Sequence, residues 1–501
     1  KIMTKQNKAE ESIKTRPPVV AIVGHIDHGK TTLLDYIRKS NVAGGESGGI
    51  TQHLSAFVVK HKDDKNIEKE IVFIDTPGHS AFTGMRERGL KVADIAILVV
   101  SGEEGVKEQT KEAIKQIEES KTPFIVAITK SDKPNSNVEK VKIDLAEQNV
   151  LVEGFGGNIP FIAVSGKTGD GIDQLLEIIL LVAEMENFTA DVNKNAVGVV
   201  IESHRDTKRG ISATLVIKNG TLKKGDVVAL KGSLSGTRIM EDFMGKNADT
   251  IPPSHPVQIV GWDNVPSAGE FFETFDNKKD AEVFSTTSVQ KINLNENIKA
   301  DTFFVPIIIK ADTLGTLEAI IKEIRKIEDD KVSFKIISSG VGQVTEADVK
   351  SLMTDKDAVI VSFRVKTEKG AQDLAIVQNI QINSFDIIYK LVEFLEELKE
   401  IRRPRELVLE EKGKTKVLRI FNKSKEKQVV GGRVTEGALT TGRAKIIRRE
   451  NIIGEATILG IEQAKTKARE VLEGNECGIM IASKIEIAIG DVILSFVEVE
   501  K

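Results

Sequence analysis

The sequence predicts a multidomain chain of mixed α/β and β architecture. A doubly wound domain with a phosphate loop comes first. A β-barrel, a small α/β/α domain, a long connector helix and a C-terminal β-barrel come after it. Three observations carry this. The octet Gly24-His25-Ile26-Asp27-His28-Gly29-Lys30-Thr31 follows an apolar run, 19–23, and precedes a helically spaced segment, 33–38; strand, glycine turn and helix are the setting a phosphate loop requires. Between residues 71 and 164 apolar strands alternate with helical patterns, which implies a parallel sheet. From Val197 the pattern changes to short strands with turns such as Asn219-Gly220, returns to strand–helix alternation near Val305, and closes on a second set of short strands.

The octet fits the Gly-x4-Gly-Lys-Thr pattern. Successive backbone N–H groups and the helix N-terminus hold phosphate oxygens. Lys30 reaches the outer phosphates and the Thr31 hydroxyl can ligate Mg²⁺. An accidental Gly-Lys-Thr turn would not bring both flanking elements with it.

Composition sets the bounds. A chain of 501 residues accommodates about three or four domains. The 71 basic and 75 acidic residues nearly cancel, so whole-chain charge says nothing of a nucleic-acid partner. Cys477 is the only cysteine, which excludes an internal disulfide and fits a reducing compartment. No apolar run approaches the ~18 residues of a membrane span, and no signal-peptide pattern opens the chain. Because the chain opens on Lys1, a trimmed start or a longer upstream extension is expected.

Residues 41–57 are glycine-rich and read as a loop, with Thr51 as the well-placed hydroxyl. A flexible linker and a switch segment that binds Mg²⁺ through Thr51 only beside a γ-phosphate both fit. Ile71–Ile74 reads as a strand ending in Asp75-Thr76-Pro77-Gly78-His79. The acidic residue at that strand end is placed as a Mg²⁺ partner, Gly78 can offer an N–H to a γ-phosphate, and His79 sits where water would attack. Five of the seven histidines lie between His25 and His79, but no metal-ligand spacing accompanies them. Strand 124–128 ends in Thr129-Lys130-Ser131-Asp132, and strand 160–164 ends in Ser165-Gly166-Lys167. In a doubly wound sheet all these motifs fall at the carboxyl strand ends, where such sites lie.

Together the octet, Asp75–His79, Lys130-x-Asp132 and Ser165-Gly166-Lys167 resemble the nucleotide motifs of translational GTPases. Gly-His-Ile-Asp-His-Gly-Lys-Thr, Gly-Gly-Ile-Thr-Gln-His and Asp-Thr-Pro-Gly-His-Ser-Ala-Phe resemble, more narrowly, bacterial-type translation initiation factor two, over essentially the whole chain from about residue 17. The resemblance implies GTP and GDP as ligands, with Mg²⁺ on Thr31, Thr51 and, through water, Asp75. It implies phosphate contacts from Gly24 through Thr31 and from Asp75, Thr76, Pro77 and Gly78. His79 would position the hydrolytic water, and Ile26 and Ile50 would form an apolar gate before it. Thr129, Lys130, Ser131, Asp132, Ser165, Gly166 and Lys167 would hold guanine; a carboxylate at Asp132 accepts two hydrogen bonds from guanine N–H groups that adenine lacks. Thr129 departs from the family's usual asparagine, and the expected cost is one hydrogen bond, about 0.5–1.5 kcal/mol.

The resulting division is a flexible tail (1–18), a GTP-binding domain (19–185), a barrel (194–275), a polar linker (276–301), an α/β/α domain (302–384), a connector helix (385–404) and a terminal barrel (405–501). Residues 185–196 read as a polar linker, Trp262 as a packed aromatic, and Ser338–Gly342 as a structural glycine turn. The third domain reads as a mechanical relay, because it has no phosphate loop or clustered nucleophile. Residues 399–449 carry sixteen Lys/Arg against six Asp/Glu, interleaved with short strands; such a basic barrel suits RNA phosphates. The resemblance implies that this barrel takes the formylmethionyl end of initiator tRNA through Gly432, Lys465, Glu476, Cys477 and Gly478. Gly432 stands where the family has a cysteine, Glu462–Lys465 keeps only the final lysine of a basic segment, and Cys477 also fits a buried structural thiol. Both ribosomal subunits are the further partners implied, for a monomer without a membrane, in a bacterial cytoplasm or an organelle matrix. An elongation-type GTPase and a nucleotide-gated ribosome-binding scaffold without catalysis are the alternatives; the domain order opposes the first, and intact Lys30, Thr51, Asp75 and His79 oppose the second.

Overall fold

The computed structural model describes residues 13–39, 52–63, 65–206, 208–286, 303–329, 331–355, 357–403, 407–423, 427–464 and 466–500. Thr51, Ile50 and Lys465, and most of the glycine-rich loop, lie outside them. The chain forms two compact units, 1–402 and 403–501.

The first strands are β1 (Ile13–Thr15), β2 (Val19–Gly24), β3 (Ser55–Lys62), β4 (Glu68–Asp75), β5 (Ile95–Ser101), β6 (Phe124–Thr129), β7 (Phe161–Ala163) and β8 (Thr189–Asp191). Six of them make one sheet in the order β3-β4-β2-β5-β6-β7, parallel except for the edge strand β3. Central strands β2 and β5 are buried along their whole length, because helices cover both faces. Those helices are α1 (Lys30–Arg38), α2 (Thr83–Val92), α3 (Glu108–Ser120), α4 (Val138–Ala146) and α5 (Ile172–Glu186). One face packs Val20, Ile22 and Ile97 against Leu33, Leu34 and Ile179; the other packs Ala21, Val23 and Leu98 against Ile114 and Ile117.

Two expectations are corrected here. Residues 55–57 are strand, not loop: β3 pairs antiparallel along β4, from Ser55 opposite Asp75 to Lys62 opposite Glu68. The segment 13–18 is no mobile tail. Ile13–Thr15 pairs with β8, and Arg16 forms a two-pronged ion pair with buried Asp94 at 2.5 and 2.7 Å. The same pairing puts a strand inside the polar stretch 185–196.

The next region holds β9 (Val197–Asp206), β10 (Gly210–Asn219), β11 (Leu222–Lys223), β12 (Val227–Leu230), β13 (Ser233–Gly236), β14 (Ile239–Glu241), β15 (Thr250–Ile251), β16 (Pro256–Val260) and β17 (Phe271–Phe275). Seven form an antiparallel sheet, β13-β12-β17-β9-β10-β16-β14. Trp262 is buried and donates its indole N–H to the Ile259 carbonyl at 3.1 Å, as a packed aromatic should. Val199, Ile201 and Val216 share a core with Val19 and Ile74 of the first sheet and with Leu54, just ahead of β3.

The expected linker 276–301 contains a helix, α6 (Lys278–Thr286). Beyond it lie β18 (Phe303–Ala311), α7 (Leu314–Ile327), β19 (Val332–Val341), α8 (Glu346–Ser351), β20 (Val359–Phe363), α9 (Lys369–Gln378), β21 (Gln381–Phe385) and α10 (Ile388–Arg402). The four strands form a parallel sheet, β19-β18-β20-β21. The expected glycine turn at 338–342 is mostly strand, since β19 runs on to Val341. Residues 384–385 belong to β21, so the connector helix begins later than expected. It buries Ile388, Leu391, Leu395 and Leu398 in the same core as Ile307, Ile309, Leu317 and Ile320. Its apolar stripe therefore covers this sheet rather than forming a bare spacer.

The second unit holds β22 (Leu407–Lys423), β23 (Lys427–Thr440), β24 (Gly442–Arg448), β25 (Asn451–Gln463), β26 (Thr466–Ala468), β27 (Glu470–Leu472), β28 (Glu476–Ser483) and β29 (Val492–Glu500). The path β22-β29-β24-β25-β28-β23 closes on itself through β22–β23 pairing, a six-stranded antiparallel barrel. Val430, Leu439, Ile446, Ile479 and Ile493 fill it.

Candidate nucleotide site

The carboxyl ends of β2, β4, β6 and β7 converge on one cavity of about 320 Å³, lined by Ile26, Asp27, Gly29, Lys30, Thr31, Thr32, Thr76, Gly78, His79, Thr129, Lys130, Asp132, Lys133, Gly166 and Lys167. Of the predicted site residues that are described, Gly24, His25, His28, Asp75, Pro77, Ser131 and Ser165 are not among its lining. Thr32 and Lys133 line it unpredicted; only adjacency to motif residues could have suggested them.

The turn at the end of β2 puts Asp27 and Gly29 in the left-handed region, φ 59° and 84°, and Gly29 caps α1. Its N-terminus therefore faces the cavity, the helix end whose backbone N–H groups point outward. Lys30 is 7% exposed and donates to the carbonyls of Gly24 (2.9 Å) and His25 (2.6 Å). Burial pulls its pKa down to about 8, against the neighbouring Asp75 carboxylate, which raises it. A Cβ at Gly78 would lie 2.5 Å from the Lys30 ammonium and 3.3 Å from Ile26, so a side chain there would have to displace the lysine head.

His28 is fully buried, and its Nδ1 accepts the Ser101 N–H at 3.2 Å. Burial, with His25 beside it, lowers its pKa to about 4, so it is a neutral structural wedge beneath the loop. His79 Nδ1 accepts the Ala81 N–H at 3.0 Å, which leaves the ring proton on Nε2. Burial lowers its pKa as well. Sequence reading missed Arg86 of α2. Its guanidinium, 1% exposed, donates to the carbonyls of Pro77, Gly78 and His79 at 3.3, 3.2 and 2.6 Å, and pairs with Glu112 at 2.9 Å. It props the whole segment carrying His79; no motif marks an arginine on an amphipathic helix.

At the other end, Asp132 Oδ1 accepts the Ser165 hydroxyl at 2.8 Å, and Ser165 Oγ accepts the N–H groups of Lys167 and Thr168. The serine thus ties the two loops together and lowers the Asp132 pKa. Lys130 is left-handed (φ 58°) and pairs with Glu104 at 3.3 Å. Thr129 is buried, and its hydroxyl donates to the His28 carbonyl at 2.5 Å. The threonine therefore spends its one donor on bracing the phosphate loop.

For Mg²⁺ the residues present are chemically apt. The Thr31 hydroxyl lines the cavity, and the Asp75 carboxylate closes β4 one strand away from the loop. Hydroxyl and carboxylate oxygens are the donors that hard cation takes. Among the described residues no group of three or more His, Cys, Asp and Glu is placed to hold a metal ion.

In the barrel, a second pocket is lined by Leu418, Arg419, Phe421, Gly431, Gly432, Glu462, Ala464, Glu476, Cys477 and Gly478. Gly432, Glu476, Cys477 and Gly478 thus share one pocket. Gly432 pairs directly with Cys477 across β23 and β28, and the thiol points at its carbonyl, 3.7 Å away. Cys477 is 6% exposed and belongs to the barrel core, and burial pushes its pKa up to about 11. A Cβ at Gly432 would meet Thr415 Cγ2 at 2.8 Å and the Lys416 carbonyl at 3.0 Å. The glycine here is matched to a β-branched neighbour.

A strand–turn–helix phosphate loop at the head of a doubly wound sheet, with an acidic strand end beside it, is the arrangement of a nucleotide-binding GTPase domain. The comparisons agree. Residues 16–185 match the elongation factor Tu GTP binding domain, 195–275 match elongation factor G domain 2, and 280–396 match translation-initiation factor 2. The chain is 39% identical to translation initiation factor IF-2 of Clostridioides difficile (strain 630), over 100% of this chain and 79% of that protein. It is 40% identical to IF-2 of Bacillus pumilus (strain SAFR-032), over 98% and 71%. A crystal structure of GDP-bound aIF5B from Aeropyrum pernix is 27% identical, covering 96% of this chain and 92% of that one, with a TM-score of 0.47. The chain belongs to the translation initiation factor IF-2 family: it is a translation-initiation GTPase that binds GTP and GDP and hydrolyses GTP.

Proposed function

We propose that the protein places formylmethionyl initiator tRNA on the small ribosomal subunit, promotes joining of the large subunit, and leaves when GTP is hydrolysed. It acts as a monomer, in a bacterial cytoplasm or an organelle matrix. The observation that carries the reading is one cavity holding the phosphate loop, His79 and the Asp132 clamp together.

Each residue has a derivable part. The N–H groups of the loop and the Lys30 ammonium hold the phosphates. Asp132 accepts the guanine N–H pair, Lys130, Ser131, Gly166 and Lys167 frame the base, and Ser165 fixes the clamp. Thr31, Thr51 and Asp75 would hold Mg²⁺, which supplies neutralising charge to the phosphates. His79, neutral with its proton on Nε2, is suited to orient the attacking water rather than deprotonate it. Ile26 lines the cavity beside it and, with Ile50, would gate its approach. Arg86 keeps the His79 segment in shape. In the barrel, the pocket around Gly432, Glu476, Cys477 and Gly478, with Lys465, would take the tRNA's aminoacyl end, and the basic stretch 399–449 would engage phosphates.

The test is steady-state GTP turnover of the full chain, alone and with ribosomal subunits, together with binding of formylated initiator and elongator tRNAs. Slow intrinsic turnover, stimulation by ribosomes and preference for the formylated initiator are expected. Rapid ribosome-free hydrolysis, or equal tRNA affinities, would overturn the reading.

A further inference from the structure

We infer that Tyr389, one residue into helix α10, is a positioning residue that restrains His79 until the ribosome moves that helix. The inference rests on the reading of His79 given above.

The Tyr389 ring meets the His79 ring edge-on, centroids 4.4 Å apart and planes at 90°. Phe82 closes the other side at 6.1 Å. With Nδ1 held by the Ala81 N–H, the imidazole is clasped on three sides, so a change of its ring orientation must break contacts with its neighbours, the tyrosine among them. The contact is not needed for packing the helix, whose buried residues are Ile388, Leu391, Leu395 and Leu398; Tyr389 itself is 41% exposed. An aromatic side chain half in solvent that touches a hydrolytic histidine has no evident structural task.

The start of α10 is also wired to the nucleotide domain at a second place. The Asp386 carbonyl, just ahead of the helix, accepts from Gln52 Nε2 at 3.3 Å and from Arg364 Nε at 3.1 Å. Arg364 in turn contacts the His53 ring at 2.6 Å. Gln52 and His53 come directly after the glycine-rich segment that carries Thr51. Ala81, Phe82 and Met85, just past His79, are buried in the same core as Ile388 and Leu391. The start of this one helix is thus tied to residues just past both nucleotide-facing segments, by hydrogen bonds at Asp386 and by a shared core at Ile388 and Leu391. A displacement of α10 releases His79, and hydrolysis becomes conditional on the helix.

The experiment compares Tyr389→Ala, Tyr389→Phe and His79→Ala, plus the His79→Ala/Tyr389→Ala pair, in the full chain, with thermal midpoints confirming folding. Tyr389→Ala should raise ribosome-free kcat by about two- to tenfold, the equivalent of one aromatic pair. KM for GTP should be unchanged and the stimulation ratio lowered. Tyr389→Phe keeps the ring and should behave as wild type. The gain should vanish in the His79→Ala background. An unchanged or reduced ribosome-free kcat in a folded Tyr389→Ala protein, or a gain that survives loss of His79, would overturn the inference. If His79→Ala itself leaves stimulated turnover intact, the role of His79 fails, and that outcome is separate from the tyrosine's.

Discussion

The two cavities, one at the head of the amino-terminal sheet and one on the terminal barrel, are built on opposite principles. The first is made of loops. It bends Asp27, Gly29 and Lys130 into left-handed backbone and buries a lysine whose pKa falls to about 8. Most of its wall residues offer a donor, acceptor or charge at a set place. The second is made of strands, and its central pair, Gly432 and Cys477, is ladder and core. A highly charged ligand demands particular groups, so substitutions there are chemical events. A pocket defined by shape tolerates exchange when a neighbour compensates, as Thr415 does for Gly432.

The largest expected effect breaks the comparison at its first term. His79→Ala should lower ribosome-stimulated GTP turnover by about 10²–10⁴-fold with little change in GDP affinity, as measured by stopped-flow phosphate release and equilibrium titration. Next, Asp132→Ala should reduce the preference for GDP over ADP by at least about tenfold, because the two guanine N–H groups lose their acceptor. Competition titration checks it, and wild-type protein that binds ADP as well as GDP would refute the clamp outright.

A third test concerns acid stability. The His28 pKa is about 4 when folded and 6.5 when exposed, so the unfolded chain binds more protons between those values. Stability is full above pH 6.5 and is lost as pH falls toward 4, by about 3 kcal/mol for this group. Urea melts of wild type and His28→Asn across that window should converge as the pH drops.

The smallest effect probes the barrel. Gly432→Cys should destabilise it by about 1–3 kcal/mol through overpacking. Adding Thr415→Ser removes the obstructing methyl and should restore part of that loss, the close approach to the Lys416 carbonyl remaining, a non-additive pair. An additive outcome would mean that the pocket is not shape-matched at this point.

The same contrast explains what could be read in advance. That the octet, Asp75–His79, Asp132 and Ser165 would gather at one end of the sheet was legible, because they follow the carboxyl ends of parallel strands. The strand–helix order was legible because fully buried parallel strands such as 95–101 are continuously apolar. Strand β1 was not, because three exposed residues are held by pairing with β8 and by the Arg16–Asp94 ion pair, both long-range. Nor was β3, whose apolar pattern is weak at a sheet edge. The reach of α10 misled because a helical stripe reports an apolar face and not its partner. Arg86 and Tyr389 escaped for the same reason: their roles exist only through residues distant in sequence. The contact of the Thr129 hydroxyl with the His28 carbonyl joins residues 101 positions apart, which no local pattern announces.

A crystal structure of the full chain with Mg²⁺ and a non-hydrolysable GTP analogue would decide whether this cavity is the nucleotide seat. The phosphates should lie against the loop from Gly24 to Thr31 with Lys30 on the outer pair, and guanine should sit on the Asp132 carboxylate. A nucleotide bound with its base turned from Asp132, or with its phosphates away from Lys30, would contradict that assignment.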